Sequence, residues 1–169
     1  MVKRLRLIST AKRVGVVTRP YPFKPIEVPE EFRGKPIIDG EKCTGCGSCR
    51  NVCTPNAIEI EDDLEKGVRR VKIFYGRCIF CGRCSDICPE EAIKLTKEFE
   101  LASKTHEDLY QIVKLKMIKC KICGKPFTTK RSLEKTLESV PEELHEQLYI
   151  CPDCREKSTA YIESYTKRR

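Results

Sequence analysis

Cys43-Thr44-Gly45-Cys46-Gly47-Ser48-Cys49-Arg50-Asn51-Val52-Cys53 and Cys78-Ile79-Phe80-Cys81-Gly82-Arg83-Cys84-Ser85-Asp86-Ile87-Cys88 are two copies of one spacing, C-x2-C-x2-C-x3-C, displaced by 35 positions. The shift carries more than cysteine: Ile38 maps onto Ile73, Gly47 onto Gly82, Ala57 onto Ala92 and Ile58 onto Ile93. Such self-similarity marks an internal duplication. Each half reads as strand, ligand loop, short helix, strand. Ile37-Ile38 and Val71-Lys72-Ile73-Phe74-Tyr75 lead into the loops, and Ala57-Ile58-Glu59-Ile60 and Ala92-Ile93-Lys94-Leu95 alternate apolar and polar after them, as half-buried strands do.

Three cysteines spaced by two residues let the backbone curl around one iron–sulfur cube and aim amide N–H groups at its sulfides. A fourth thiolate is out of reach of the same loop without strain, and in the two-cluster ferredoxin arrangement it comes from the other half. The expected ligand sets are therefore Cys43, Cys46, Cys49 and Cys88 for one [4Fe–4S] cluster, and Cys78, Cys81, Cys84 and Cys53 for the second. Gly45, Gly47 and Gly82 are expected to let the backbone approach the clusters closely. Two zinc knuckles or free core thiols compete with this reading, and the duplicated spacing argues against both. The C-x3-C-x2-C triplet of radical S-adenosylmethionine chemistry is absent. The copies differ at one point: Cys88 is followed directly by Pro89, whereas Pro55 follows Cys53 one residue later. Either proline breaks a helix. The charged linker 62–70 reads as a solvated hairpin turn.

The remaining cysteines form two C-x2-C pairs, Cys120/Cys123 and Cys151/Cys154. Four thiolates in this pairing suit a closed tetrahedral site, zinc first and iron second, with a structural and docking role. Between the pairs, Ser132 to Leu148 is rich in Glu, Leu and Lys and predicts a helical hairpin, with a helix start at Pro141-Glu142-Glu143. His106 and His145 lack ligand spacing and read as surface residues. The tail Lys167-Arg168-Arg169 reads as a frayed end.

Composition agrees with a metal-stapled protein. Of 169 residues, 12 are cysteine, 40% are apolar, 7% are aromatic and none is tryptophan, too little to fill the core of a large α/β enzyme. The basic start is not followed by an apolar secretory stretch, and no run approaches the length of a membrane span. Many cysteines in a reducing compartment point to metal ligation, not disulfides. The formal charge is +8, but thiolate-bound metals bring the loaded protein to roughly +2. That weakens a nucleic-acid reading, which rests only on Lys119, Lys121, Lys125, Lys130 and Arg131. No paired general acid and base and no open metal position points to catalysis in this chain.

The first 26 residues contain no acid. Val2, Leu5 and Ile8 share a helical face there, suited to an acidic partner or lipid headgroups. Pro20, Pro22, Pro25 and Pro29 prevent a helix and predict an extended strap. The stretches Val17-Thr18-Arg19-Pro20-Tyr21-Pro22, Val28-Pro29-Glu30-Glu31-Phe32-Arg33-Gly34-Lys35-Pro36, Gly76-Arg77-Cys78-Ile79-Phe80-Cys81-Gly82-Arg83-Cys84 and Leu95-Thr96-Lys97-Glu98-Phe99-Glu100-Leu101-Ala102 resemble the two-cluster ferredoxin subunit of respiratory complex I. They resemble still more the homologous subunit of formate hydrogenlyase and related membrane-bound energy-converting [NiFe] hydrogenases. Some of these extend into C-x2-C knuckles like those here. The resemblance covers about residues 14–110 well.

This resemblance implies a peripheral subunit on the cytoplasmic side of the cell membrane, without a transmembrane segment. It would relay single electrons toward the subunits that carry the terminal cluster and the catalytic centre. A free two-[4Fe–4S] ferredoxin is the alternative. The fold class expected is α+β: a duplicated bacterial two-[4Fe–4S] ferredoxin-like domain over 37–104. It is preceded by a basic arm and Pro-rich strap over 1–36. A zinc-ribbon-like extension with a helical insertion follows over 105–169.

Overall fold

The computed structural model describes residues 2–166, and the side-chain surroundings of residues 6–159. The chain divides into two units, one ending at Glu31 and one beginning at Phe32. The first holds helix α1 (Val2–Val14), which ends where Gly15 takes a positive φ and its amide meets the Ala11 carbonyl. The proline segment after it is not uniformly extended. It folds into a tight turn in which the Lys24 amide reaches the Pro20 carbonyl at 2.9 Å, across a cis Tyr21–Pro22 bond. The face expected from Val2, Leu5 and Ile8 lies partly outside the residues whose side chains are described, as the tail 167–169 lies outside the described residues altogether.

The second unit is mixed α+β. Strand β1 (Pro36–Ile38) is followed by the first cysteine loop, the one-turn helix α2 (Ser48–Asn51) and strand β2 (Ile58–Asp63). Strand β3 (Val68–Phe74), the second loop, helix α3 (Arg83–Asp86) and strand β4 (Ile93–Leu95) repeat that order. The halves exchange strands, β1 pairing with β4 and β2 with β3, both antiparallel. The register respects the 35-residue shift, since Ile38 faces Ile93 as Ile73 faces Ile58. Backbone conformation repeats too. Gly47 and Gly82 are left-handed at φ 88° and 81°, Asn56 and Glu91 at 50° and 48°, Gly45 and Phe80 at 71° and 53°.

The charged linker is mostly strand. β2 and β3 run to Asp63 and from Val68, and Arg69–Asp62 and Arg70–Asp63 ion pairs lie across them. Strand β5 (Tyr110–Lys119) then pairs antiparallel along β3, and β6 (Pro126–Thr129) along β5, giving a four-stranded sheet β2-β3-β5-β6. The segment after residue 104 thus continues the ferredoxin sheet. Alternation makes this strand: Val113, Leu115 and Met117 face inward, with Lys114 and Lys116 exposed between them. Helix α4 (Lys130–Ser139) follows, N-capped by Thr129, whose hydroxyl accepts from the Ser132 amide. A 3-10 turn (Glu142–Leu144), α5 (His145–Leu148) and α6 (Pro152–Thr166) complete the chain.

The core is small. Ile38, Ile58, Val71, Ile73, Tyr75, Ile93 and Leu115 are buried together, each contributing about 1.5–3 kcal/mol if a full aliphatic or aromatic side chain is removed from water. Cys43, Cys49, Cys53, Cys84 and Cys88 pack directly against them. Polar contacts tie the two sheets together. The Gln111 side chain on β5 pairs with the Ile38 backbone in both directions, at 2.9 and 3.0 Å, and the Tyr75 hydroxyl donates to the Pro36 carbonyl at 2.8 Å.

Candidate metal centres

The two copies of the motif build two recesses. Cys43, Cys46 and Cys49 from the first loop and Cys88 from the second half line one, a space of about 380 Å³ walled by Ile38, Ile60, Val71 and Ile93. Cys78, Cys81 and Cys84, with Cys53 from the first half, line the other, about 410 Å³ walled by Pro36, Ile58, Ile73 and Leu95. Every wall residue of one recess has a counterpart two positions along the same strand in the other. Two residues of strand span about 6–7 Å, so the recesses are neighbours on one core. Soft thiol donors in an apolar pocket suit iron–sulfur chemistry and not a hard cation.

Local structure aims backbone donors at sulfur. A left-handed residue after each x3 segment turns the chain, so that the Ala57 amide meets Cys53 Sγ at 3.2 Å and the Ala92 amide meets Cys88 Sγ at 3.3 Å. The displaced proline at 55 leaves this bond in place. The Phe80 amide similarly reaches Cys78 Sγ at 3.4 Å. Such donors stabilise negative charge on sulfur and help set cluster potentials. Gly45 lines the first recess and also meets the sheet. A Cβ there would stand 2.8 Å from Leu115 Cδ1 and 3.0 Å from Arg69 Cδ, so side chains of the sheet pack against a glycine that also holds a φ of 71°.

With no metal bound, burial governs four of these thiols. It raises Cys43 and Cys78, pushes Cys49 up to about 12 and Cys84 up to about 11. Cys46 goes the other way: the upward push of burial is outweighed by hydrogen bonds from the Ser48 hydroxyl and amide and from the Thr44 hydroxyl. Cluster assembly in such a site must expel protons.

The third group is of another kind. The sulfurs of Cys120, Cys123, Cys151 and Cys154 all lie within 4.8 Å of one another. Cys120 and Cys123 flank the knuckle between β5 and β6, and Cys151 and Cys154 open α6. Cys120 Sγ receives the Cys151 amide at 3.2 Å and the Ile122 amide at 3.4 Å. Amides of Cys123 and Cys151 hold that thiol down at about 6. Four thiols at this separation can close around one tetrahedral ion.

Neither histidine joins this group: His106 is exposed and edges onto the Phe74 ring, and half-buried His145 engages the Val140 carbonyl through Nε2 at 2.8 Å. The bracing contacts of Arg69, Gln111, Tyr75 and Thr129 are not legible in the sequence, where Tyr75 reads only as strand and Arg69 only as linker. The period-two alternation of 111–117 is the signal that exposes their shared framework.

A duplicated α+β frame with two neighbouring four-thiol recesses defines a two-cluster iron–sulfur protein of ferredoxin type. Residues 42–92 match the 4Fe-4S dicluster domain family. The chain is 37% identical over 155 residues to formate hydrogenlyase subunit 6 of Escherichia coli, covering 88% of this chain and 86% of that protein. It is 38% identical over 119 residues to NAD(P)H-quinone oxidoreductase subunit I of Trichodesmium erythraeum, covering 67% of this chain but only 57% of that protein. A chain of the membrane-bound sulfane sulfur reductase, an archaeal respiratory membrane complex, shares 33% identity over 56% of this chain and 51% of its own, with a TM-score of 0.45. The chain belongs to the 4Fe-4S dicluster family that includes formate hydrogenlyase subunit 6 and complex I subunit I, and it carries two 4Fe-4S clusters.

Proposed function

We propose that this chain is an electron-transfer subunit that relays single electrons through its two clusters within a membrane-bound complex related to hydrogenlyase and complex I. Bound [4Fe–4S] clusters accept and release one electron at a time. The observation that carries this reading is the adjacency of the recesses, whose walls are alternate residues of the same four strands. In it, Cys43, Cys46, Cys49 and Cys88 hold one cluster, and Cys78, Cys81, Cys84 and Cys53 the other. The apolar walls exclude water, and the amides of Ala57 and Ala92 hold the crossover thiolates of Cys53 and Cys88.

The Cys120, Cys123, Cys151 and Cys154 group would hold zinc, with iron as the second option, in a zinc-ribbon-like extension of structural role. No described helix is long and apolar enough to cross a membrane, so partner subunits would hold the chain at the cytoplasmic face. These would include the subunit with the terminal cluster and the catalytic large subunit of a [NiFe]-hydrogenase or complex-I-like assembly. A docked subunit is favoured over a free carrier by the first unit, where Leu7, Val16, Val17 and Phe23 are 72%, 88%, 78% and 91% exposed. Such exposed large hydrophobics in one small unit are offered to a partner surface. Purification of the native complex should return this chain with hydrogenase-type or complex-I-type subunits, and elution of the iron-loaded chain at its monomer size would overturn the reading.

A further inference from the structure

The duplication supplies an internal control, and the extension breaks it. On the first loop, the buried Thr129 hydroxyl donates to the carbonyl of buried Thr44. Leu115 Cδ1 and the Thr129 methyl stand 2.8 and 3.2 Å from where a Gly45 Cβ would project. Arg69 Nη1, anchored by Asp62, donates to the Gly45 carbonyl at 3.0 Å. Lys135 of α4 pairs with Glu90, which lines the same recess. The second loop is braced from outside the extension, by Arg33 Nη1 donating to the Cys81 carbonyl at 3.2 Å, and Ile79, the counterpart of Thr44, is 61% exposed.

Thr129 and Leu115 owe their positions to the β5–β6 hairpin, where Met117 faces Thr129. The knuckle at the tip of that hairpin supplies Cys120 and Cys123, tied to Cys151 and Cys154. The Cys120 amide closes it on the Lys125 carbonyl at 2.9 Å, and the Lys121 amide reaches the Tyr149 carbonyl at 3.0 Å.

We propose that the four-cysteine metal site locks the β5–β6 hairpin onto the Cys43–Cys49 loop, with Thr129 as the positioning residue, and so controls retention and potential of the first cluster but not the second. This rests on the ligand sets given above. Without the lock, the Thr44 carbonyl is left buried and unpaired or opens to water, and either outcome changes the field and solvent access at the first recess.

The test uses the full-length chain purified without oxygen. Iron release to a ferrous chelator and EPR redox titration are followed for the unsubstituted protein, Thr129→Val, Thr129→Ser and Cys123→Ser, with Cys46→Ser marking the first cluster's signal. In Thr129→Val, which loses the buried bond to Thr44 and the α4 cap bond from Ser132, half of the iron should leave roughly tenfold faster or more, and only the first cluster's midpoint should move. Thr129→Ser should restore both. Cys123→Ser should reproduce the bias by another route, which covers a Thr129→Val protein that fails to fold. Equal acceleration of all the iron, or two unmoved midpoints with unchanged release in both variants, would overturn the lock while leaving the two-cluster reading intact. Absence of any cubane signal from the unsubstituted chain would overturn both.

Discussion

The cluster recesses and the four-cysteine group surround the same side chain in different ways. In the recesses, thiols sit among isoleucines, and burial pushes Cys49 to about 12 and Cys84 to about 11. In the third group the thiols bear on one another: backbone amides lower Cys120, while hydrogen bonding to Cys151 pushes Cys154 up to about 12. The first arrangement is a core missing its centre, which iron and sulfide complete. The second is a clasp that polypeptide geometry has already shaped for an ion. Metal should therefore be a condition of folding in one region and a local reinforcement in the other.

The largest effect that separates them is removal of iron. Stripping the clusters should abolish the cooperative unfolding transition of the β1–β4 frame, followed by circular dichroism, because few apolar residues remain to hold it. Cys84→Ala should do so in part, with loss of about half the iron. A frame that stays folded without iron would break the contrast. Removing the third metal alone, through Cys151→Ser, should be milder. Amide exchange should rise over 110–154 while β2 and β3 keep their protection.

Smaller changes sharpen the comparison. Tyr75→Phe leaves the Pro36 carbonyl without its donor and should cost about 1–3 kcal/mol in thermal or denaturant unfolding, with both metal sites still loaded. The weakest effect concerns pH. The Arg69 hydrogen bond holds the Asp62 carboxyl below its ordinary range, with burial opposing. A lowered folded-state value means stabilisation that is complete above the ordinary carboxylate range and lost as pH falls through the folded value. Asp62→Asn should flatten the acid side of the stability profile, and an unchanged slope would remove this pair from the account.

Much of this was legible in the residues. The 35-residue shift fixed which strands correspond, and the side-by-side spacing of Cys120/Cys123 and Cys151/Cys154 marked a third group that the fold does assemble. Strand exchange between halves was not legible, because Ile38 facing Ile93 is a long-range pairing to which local periodicity is blind. β5 was missed for another reason. The basic residues from Lys119 to Arg131 stand out as charge, while Val113, Leu115 and Met117 just before them carry the strand. The contact of Gly45 with Leu115 was not legible either, because the two lie 70 positions apart.

Metal analysis and EPR on the anaerobically purified, dithionite-reduced chain test the central claim most directly. The ligand count predicts about eight irons and two interacting [4Fe–4S]⁺ signals, with one further ion in the four-cysteine group. Zinc alone, or reduced protein silent in the cubane region, would contradict it.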